Sequence, residues 1–273
     1  MNIPANWTEG DVDLGNGVMH YYRAGVAGAP AIVLAHGFSD TGLCWQPTAQ
    51  ALAADYDLVM PDARGHGRSA RLIQGRHYDL TDDLIRVIQA LGLSRPIVFG
   101  HSMGAFVASL LAARRPDLAS ALVLIDPPWF TLRSDASYPM RIDDSNMATW
   151  VRTLPGKTQQ QLMEECRREH PTWPEVIVER WCEGKKLLDQ NVIDTTLIPE
   201  SNIRATVEAI HCPVLLLTAD PELGGIVTPE VAQEVAQVNP QIQTVRIREA
   251  GHHLNFTQPG AYLRAVEQFL SAL

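Results

Sequence analysis

The sequence predicts an α/β protein: a doubly wound, mostly parallel sheet with a helical insertion. Three observations predict it. Short apolar runs alternate with helix-like segments along most of the chain, as in stacked strand–helix units. The later runs are continuously apolar rather than alternating, which is how strands buried on both faces read. The alternation stops between residues 127 and 200, where four of the six tryptophans lie.

Taken in order, strands are expected at 17–24, 31–35, 57–60, 97–99, 121–125, 214–218 and 243–247. Helices are expected at 46–54, 81–91, 103–114, 230–237 and 260–270. Thr81 ahead of Asp82 and Asp83, and Thr228 ahead of Pro229 and Glu230, are start signals: a hydroxyl cap, then acid or proline in the first turn. The segment after Ile125 opens with Pro127-Pro128-Trp129-Phe130 and reads as mostly helix and loop. It is expected to form a cap over the C-terminal edge of the sheet, where ligands of open α/β sheets bind. The core is then 1–126 with 201–273, and the cap is 127–200.

Composition narrows the function. Of 273 residues, 46% are hydrophobic and 19% charged, enough for a sizeable core. Lys and Arg number 22 against 31 Asp and Glu, a net charge of −9. That disfavours nucleic-acid and anionic-membrane partners, which require basic surfaces. No apolar run approaches the ~20 residues of a membrane span, and the N-terminal residues lack a basic, apolar leader, so a cytoplasmic location is expected. Cys44, Cys166, Cys182 and Cys212 lie far apart, which fits incidental thiols better than a zinc site or disulfide framework.

The chemistry begins at Gly100-His101-Ser102-Met103-Gly104, between an apolar strand and a helix. G-x-S-x-G in that setting is a nucleophile elbow: a strained turn lifts the serine oxygen above the sheet at a helix N-terminus. Acyl transfer also needs two amide donors for the developing oxyanion. Met103, next after the serine, offers one. The other is expected from Phe38 in His36-Gly37-Phe38, directly after strand 31–35, with Gly37 permitting close backbone approach. A serine hydroxyl is a weak nucleophile and needs a general base. Among nine histidines, His252 follows Gly251 at a late strand end and fits the order Ser…acid…His. His253 is its rival.

These stretches, with Pro61-Asp62-Ala63-Arg64-Gly65-His66-Gly67-Arg68-Ser69, Ile125-Asp126-Pro127-Pro128 and Glu249-Ala250-Gly251-His252-His253, carry a resemblance to the α/β-hydrolase fold superfamily. It covers about residues 17–271. The resemblance implies an α/β-hydrolase fold with a helical cap after the sixth strand, a serine hydrolase activity, and no metal or organic cofactor. Asp62, Arg64, Gly65, His66 and Gly67 correspond to a loop that braces the sheet.

The acid that orients His252 has three candidates. Most of the family carries it after the strand at 214–218, which points to Glu222 or, at the strand end, Asp220. Some members, zearalenone lactonases among them, carry it at the end of the preceding strand, which is Asp126. Asp126 follows a buried apolar strand, where an unpaired carboxylate is costly. The expected triad is therefore Ser102, Asp126 and His252, with Glu222 as the alternative.

The expected substrate is a small, largely hydrophobic ester or lactone. An amide, carbamate or carbon–carbon bond, or a weakly catalytic receptor, are the alternatives. Trp129, Phe130, Tyr138, Met140, Trp150, Met163, Trp173 and Trp181 are the candidate pocket residues, with Trp129, Trp150 and Trp181 foremost. The oligomeric state is left open.

Overall fold

The computed structural model describes residues 3–133, 135–141 and 146–273. In chain order the first elements are β1 (Thr8–Asp13), β2 (Val18–Gly25), β3 (Ala31–Ala35), α1 (Gln46–Leu52), β4 (Asp57–Pro61) and α2 (Leu80–Ala90). Then come β5 (Ile97–His101), α3 (Met103–Arg114) and β6 (Ala121–Ile125). The segment that follows carries β7 (Ser137–Arg141), α4 (Asn146–Thr153), α5 (Gln159–Glu169), α6 (Glu175–Leu187), β8 (Thr196–Asn202) and α7 (Ile203–Glu208). The chain ends with β9 (Val214–Thr218), α8 (Pro229–Val238), β10 (Ile242–Arg246), α9 (Leu254–Thr257) and α10 (Pro259–Leu270).

Eight strands form one sheet in the order β1-β2-β4-β3-β5-β6-β9-β10. β1 and β2 pair antiparallel, as do β2 and β4, and the remaining pairs are parallel. β4, β5, β6 and β9 are buried along their whole length, which accounts for their unbroken apolar sequence. α3 is apolar all round and buried from Met103 to Ala112, as a helix enclosed by its neighbours must be.

The strand order reverses beside β3. From β3 the chain steps one way to β4, then returns on the other side to β5. Loops leaving β3 and β5 therefore diverge and leave a crevice at the C-terminal edge. Register levels them: Ala35 pairs with Gly100, and His101 with Ile125. His36-Gly37-Phe38, Ser102 and Asp126 thus emerge at one height from three adjacent strands.

Several elements depart from the sequence reading. β1 was not expected, because Thr8-Glu9-Gly10-Asp11-Val12-Asp13 is a polar edge strand with one buried residue. The insertion is not only helix and loop, since β7 and β8 pair antiparallel with a register shift. Pro139 and Pro199 hide that pair from a propensity reading, and proline is tolerated in such edge positions. β8 also runs across residue 200, the expected end of the cap. Thr81 is not the cap of α2. Asp79 is, its side chain accepting from the Thr81 amide at 2.9 Å, and the helix starts one residue earlier than expected. Thr228 does cap α8, accepting from the Val231 amide at 3.3 Å.

Candidate active site

The elbow forms as its glycines require. Ser102 has φ 51 and ψ −116, a conformation that costs a non-glycine residue about 1–3 kcal/mol. A Cβ on Gly100 would lie 2.3 Å from the Gly104 carbonyl oxygen, and one on Gly104 would lie 2.1 Å from that of Ala35. The turn closes only because both positions are bare. The Ser102 amide donates to the Ile125 carbonyl at 2.9 Å, tying the elbow to β6.

His252 Nδ1 donates to Asp126 Oδ2 at 2.7 Å. A carboxylate accepts, so the neutral ring that makes this bond carries its proton on Nδ1 and leaves the lone pair on Nε2. Asp126 is fully buried and sits at φ 42. Its charge is met by three N–H donors: Ile226 at 2.9 Å to Oδ2, Val227 at 3.1 Å to Oδ1, and the imidazole. The loop after β9, where the resemblance would place an acid, instead aims its amides at Asp126. Asp220 is engaged elsewhere, accepting from Arg246 Nε and the Glu249 amide, each at 2.7 Å. The Glu222 side chain is 80% exposed, 3.8 Å from Arg246. Neither meets His252.

His101 braces His252, a contact that sequence reasoning missed. Its Nε2 donates to the His252 carbonyl at 3.0 Å, and its ring lies 4.7 Å from that of His252. A Cβ on Gly37 would come within 2.7 Å of His101 Nδ1, so Gly37 leaves room for this ring. Burial, reinforced by the nearby His252, pushes the His101 pKa down to about 4. Burial, then His101 and His252, also holds His253 well below the ordinary histidine value. Among the described residues, Ser102 Oγ makes no direct hydrogen bond to His252. Such contacts often tighten only when substrate binds.

Two cavities of about 440 Å³ each meet at Ser102 and His252, and Phe38 and Met147 line both. One lobe is apolar, walled by Phe106, Phe130, Met140, Ile203 and Ile226. The second lobe is also mostly apolar in its exposed lining but carries more ionisable side chains, with Asp40, Glu169, His170, Lys185 and His253 on its wall together with Trp150 and Trp181. Two of the three foremost aromatic candidates, Trp150 and Trp181, are therefore on the wall. Trp129 is not. A tight turn, with the Trp129 amide on the Pro127 carbonyl, packs its indole into the core with no exposure, and its neighbour Phe130 faces the apolar lobe. Trp173 stands behind the wall, stacked on His170 at 3.8 Å, and Met163 packs against the core. The Tyr138 side chain lies outside the described residues.

Phe38 sits in the turn after β3, closed by the Asp40 amide on the Gly37 carbonyl at 3.2 Å. Met103 supplies the first amide of α3, and the leading amides of a helix have no intrahelical partner. The arrangement has the parts of a nucleophile–base–acid relay with amide donors beside it. The bracing loop is as expected. Asp62 accepts from the Gly42 and Arg68 amides at 2.7 and 2.9 Å, and Arg64 pairs with Asp83 at 2.7 Å. Among the described residues, no group of three or more His, Cys, Asp or Glu side chains is placed to hold a metal ion, and no helix is long and apolar enough to cross a membrane.

The fold defines a class, and sequence comparison agrees. The family model for the alpha/beta hydrolase fold matches residues 30–259; the chain belongs to that family. It is 27% identical over 263 residues to "Putative carbamate hydrolase RutD" of Caulobacter sp. (strain K31), covering 94% of this chain and 96% of that one. It is 28% identical over 263 residues to N-formylmaleamate deformylase of Pseudomonas putida, covering 93% and 94%. The crystal structure of carboxylesterase CesB (YbfK) from Bacillus subtilis superposes with a TM-score of 0.74 at 19% identity, covering 99% of this chain and 93% of that one.

Proposed function

We propose that this protein is a serine hydrolase that cleaves a small, largely hydrophobic carboxylic ester or lactone through an acyl-enzyme. One observation carries the reading: the strained Ser102 and His252 share the wall of one crevice, and His252 is held from behind by the buried Asp126 at 2.7 Å. His252 Nε2 takes the proton of Ser102 Oγ as the oxygen attacks the substrate carbonyl. The amides of Phe38 and Met103 hold the oxyanion, and Asp126 stabilises the imidazolium. The imidazolium then protonates the departing oxygen. Water, deprotonated by His252, releases the acid from Ser102. The apolar lobe suits the hydrophobic part of the substrate.

A second reading keeps the same steps but breaks a C–N bond in an amide or carbamate. The second lobe favours it, since Glu169 and His170 on its wall can hydrogen-bond a polar leaving group. The names of the two sequence relatives favour it as well.

A substrate panel tests both. Aliphatic p-nitrophenyl esters, simple lactones, N-formyl amides and carbamates are incubated with the wild type and with Ser102→Ala. Turnover of esters or lactones above the other classes supports the first reading, and turnover of amides or carbamates above esters supports the second. Turnover that survives in Ser102→Ala contradicts both.

A further inference from the structure

Lys185 and Asp40 form an ion pair at 2.8 Å, with side chains only 3% and 5% exposed. Lys185 belongs to α6, in the segment between β6 and β9. Asp40 lies two residues after Phe38, in the turn that follows β3. Taking two charges out of water is expensive, and such a pair is weak evidence of stability. Its position, rather than its strength, indicates a role.

The turn it grips is strained. The Asp40 amide closes on the Gly37 carbonyl around Phe38 and Ser39, and Ser39 lies at φ 66. A non-glycine residue holds that conformation only where its surroundings over-determine it. α6 supplies the surroundings. Lys185 Nζ also donates to the Ser39 carbonyl at 3.3 Å and stands 4.6 Å from the Trp181 ring centroid. A Cβ on Gly184 would lie 2.7 Å from that same Ser39 carbonyl, so the helix backbone presses on the turn. One helical turn earlier, Arg180 Nε and Nη2 donate to Gln46 Oε1 at 3.0 and 2.9 Å. Lys185, Ser39 and Asp40 all line the second lobe beside Ser102.

We propose that Lys185 is a positioning residue, clamping the Gly37–Asp40 turn through Asp40 and the Ser39 carbonyl so that the Phe38 amide is held where the oxyanion forms. α6 is then part of the catalytic frame. The proposal rests on the serine-hydrolase reading and refines it. A clamp on an oxyanion donor acts on the transition state and not on ground-state binding.

The test uses the full chain and p-nitrophenyl acetate. The double variant Lys185→Met/Asp40→Asn removes the pair without leaving one charge buried alone. Its folded fraction is measured by intrinsic fluorescence, and kcat is normalised to it. Loss of one oxyanion donor costs about 10²–10³ in kcat, so a fall of roughly 10–100-fold is expected for a loosened one, with KM within about threefold. Lys185→Arg, which keeps the charge, is expected to retain more than half of the lost kcat on a logarithmic scale. A normalised kcat within about twofold of wild type overturns the proposal, as does a rise in KM at unchanged kcat. If the double variant does not fold, Lys185→Gln/Asp40→Asn, which also leaves no lone buried charge, is read by the same criteria. Wild-type labelling by a fluorophosphonate at Ser102 separates the two levels. Labelling with unchanged variant kinetics removes only the clamp, whereas no labelling removes the serine reading beneath it.

Discussion

His252 Nδ1 and Asp126 Oδ2 meet at 2.7 Å across 126 residues of chain. The carboxylate is at the end of β6 and the imidazole follows β10, with β9 between them in the sheet. The loop after β9 crosses the gap and gives Asp126 the amides of Ile226 and Val227. Asp126→Asn replaces an acceptor with a group that can hold the wrong imidazole tautomer, and kcat is expected to fall about 10³–10⁴-fold. Glu222→Gln, on an exposed side chain, is expected to change kcat by less than about twofold. Steady-state kinetics of both variants check this, and the reverse outcome moves the acid role to Glu222.

Neutral buried histidines tie stability to pH. Burial first, then the nearby His36, drives the His66 pKa down to about 3, and His101 is pushed to about 4. In the unfolded chain both titrate near 6.5. As pH falls below that value the unfolded state binds protons that the native state refuses, so stability is lost between about pH 6.5 and 4. Each ring contributes on the order of 3 kcal/mol to that loss. Thermal unfolding from pH 8 to 4 is expected to show a near-constant Tm above about pH 7 and a steep decline below 6.5. A flat Tm down to pH 4 contradicts the buried, neutral assignment.

The elbow allows no methyl group at Gly104. A Cβ there would stand 2.1 Å from the Ala35 carbonyl oxygen, and both backbones belong to the buried centre of the molecule. Gly104→Ala is expected to cost more than about 4 kcal/mol, read as a Tm loss of roughly 10 °C or as insoluble protein.

The apolar lobe makes a prediction about chain length. Ile203 and Met140 stand on its wall, so Ile203→Trp fills space that a long acyl chain needs. The ratio of kcat/KM for p-nitrophenyl octanoate to that for the acetate is expected to fall at least tenfold. An unchanged ratio places the acyl chain elsewhere.

Much of this was legible in the sequence, and the reasons differ by residue. Ser102 announced itself through the spacing of Gly100 and Gly104, because only glycine fits where the elbow crosses α3 and β3. Phe38 and His252 sit beside glycines at the ends of expected strands, so local pattern was enough to name them as candidates. The carboxylate that meets His252 was not decided by local pattern, because two strand ends offer one and only the path of the 219–228 loop separates them. Trp129 was misplaced for a related reason: an aromatic side chain is equally at home in a core or on a pocket wall. Lys185 gave no signal at all. A lysine near the end of an amphipathic helix reads as solvated, and its partner Asp40 lies 145 residues away.

Covalent labelling tests the central claim most directly. The intact protein is treated with a fluorophosphonate, and the adduct is located by peptide mass spectrometry. Wild type is expected to take one adduct, on Ser102, within minutes. Ser102→Ala is expected to take none, and His252→Gln to react at least 10²-fold more slowly. An adduct on another residue, or equal labelling rates with and without the His252 imidazole, would contradict the account.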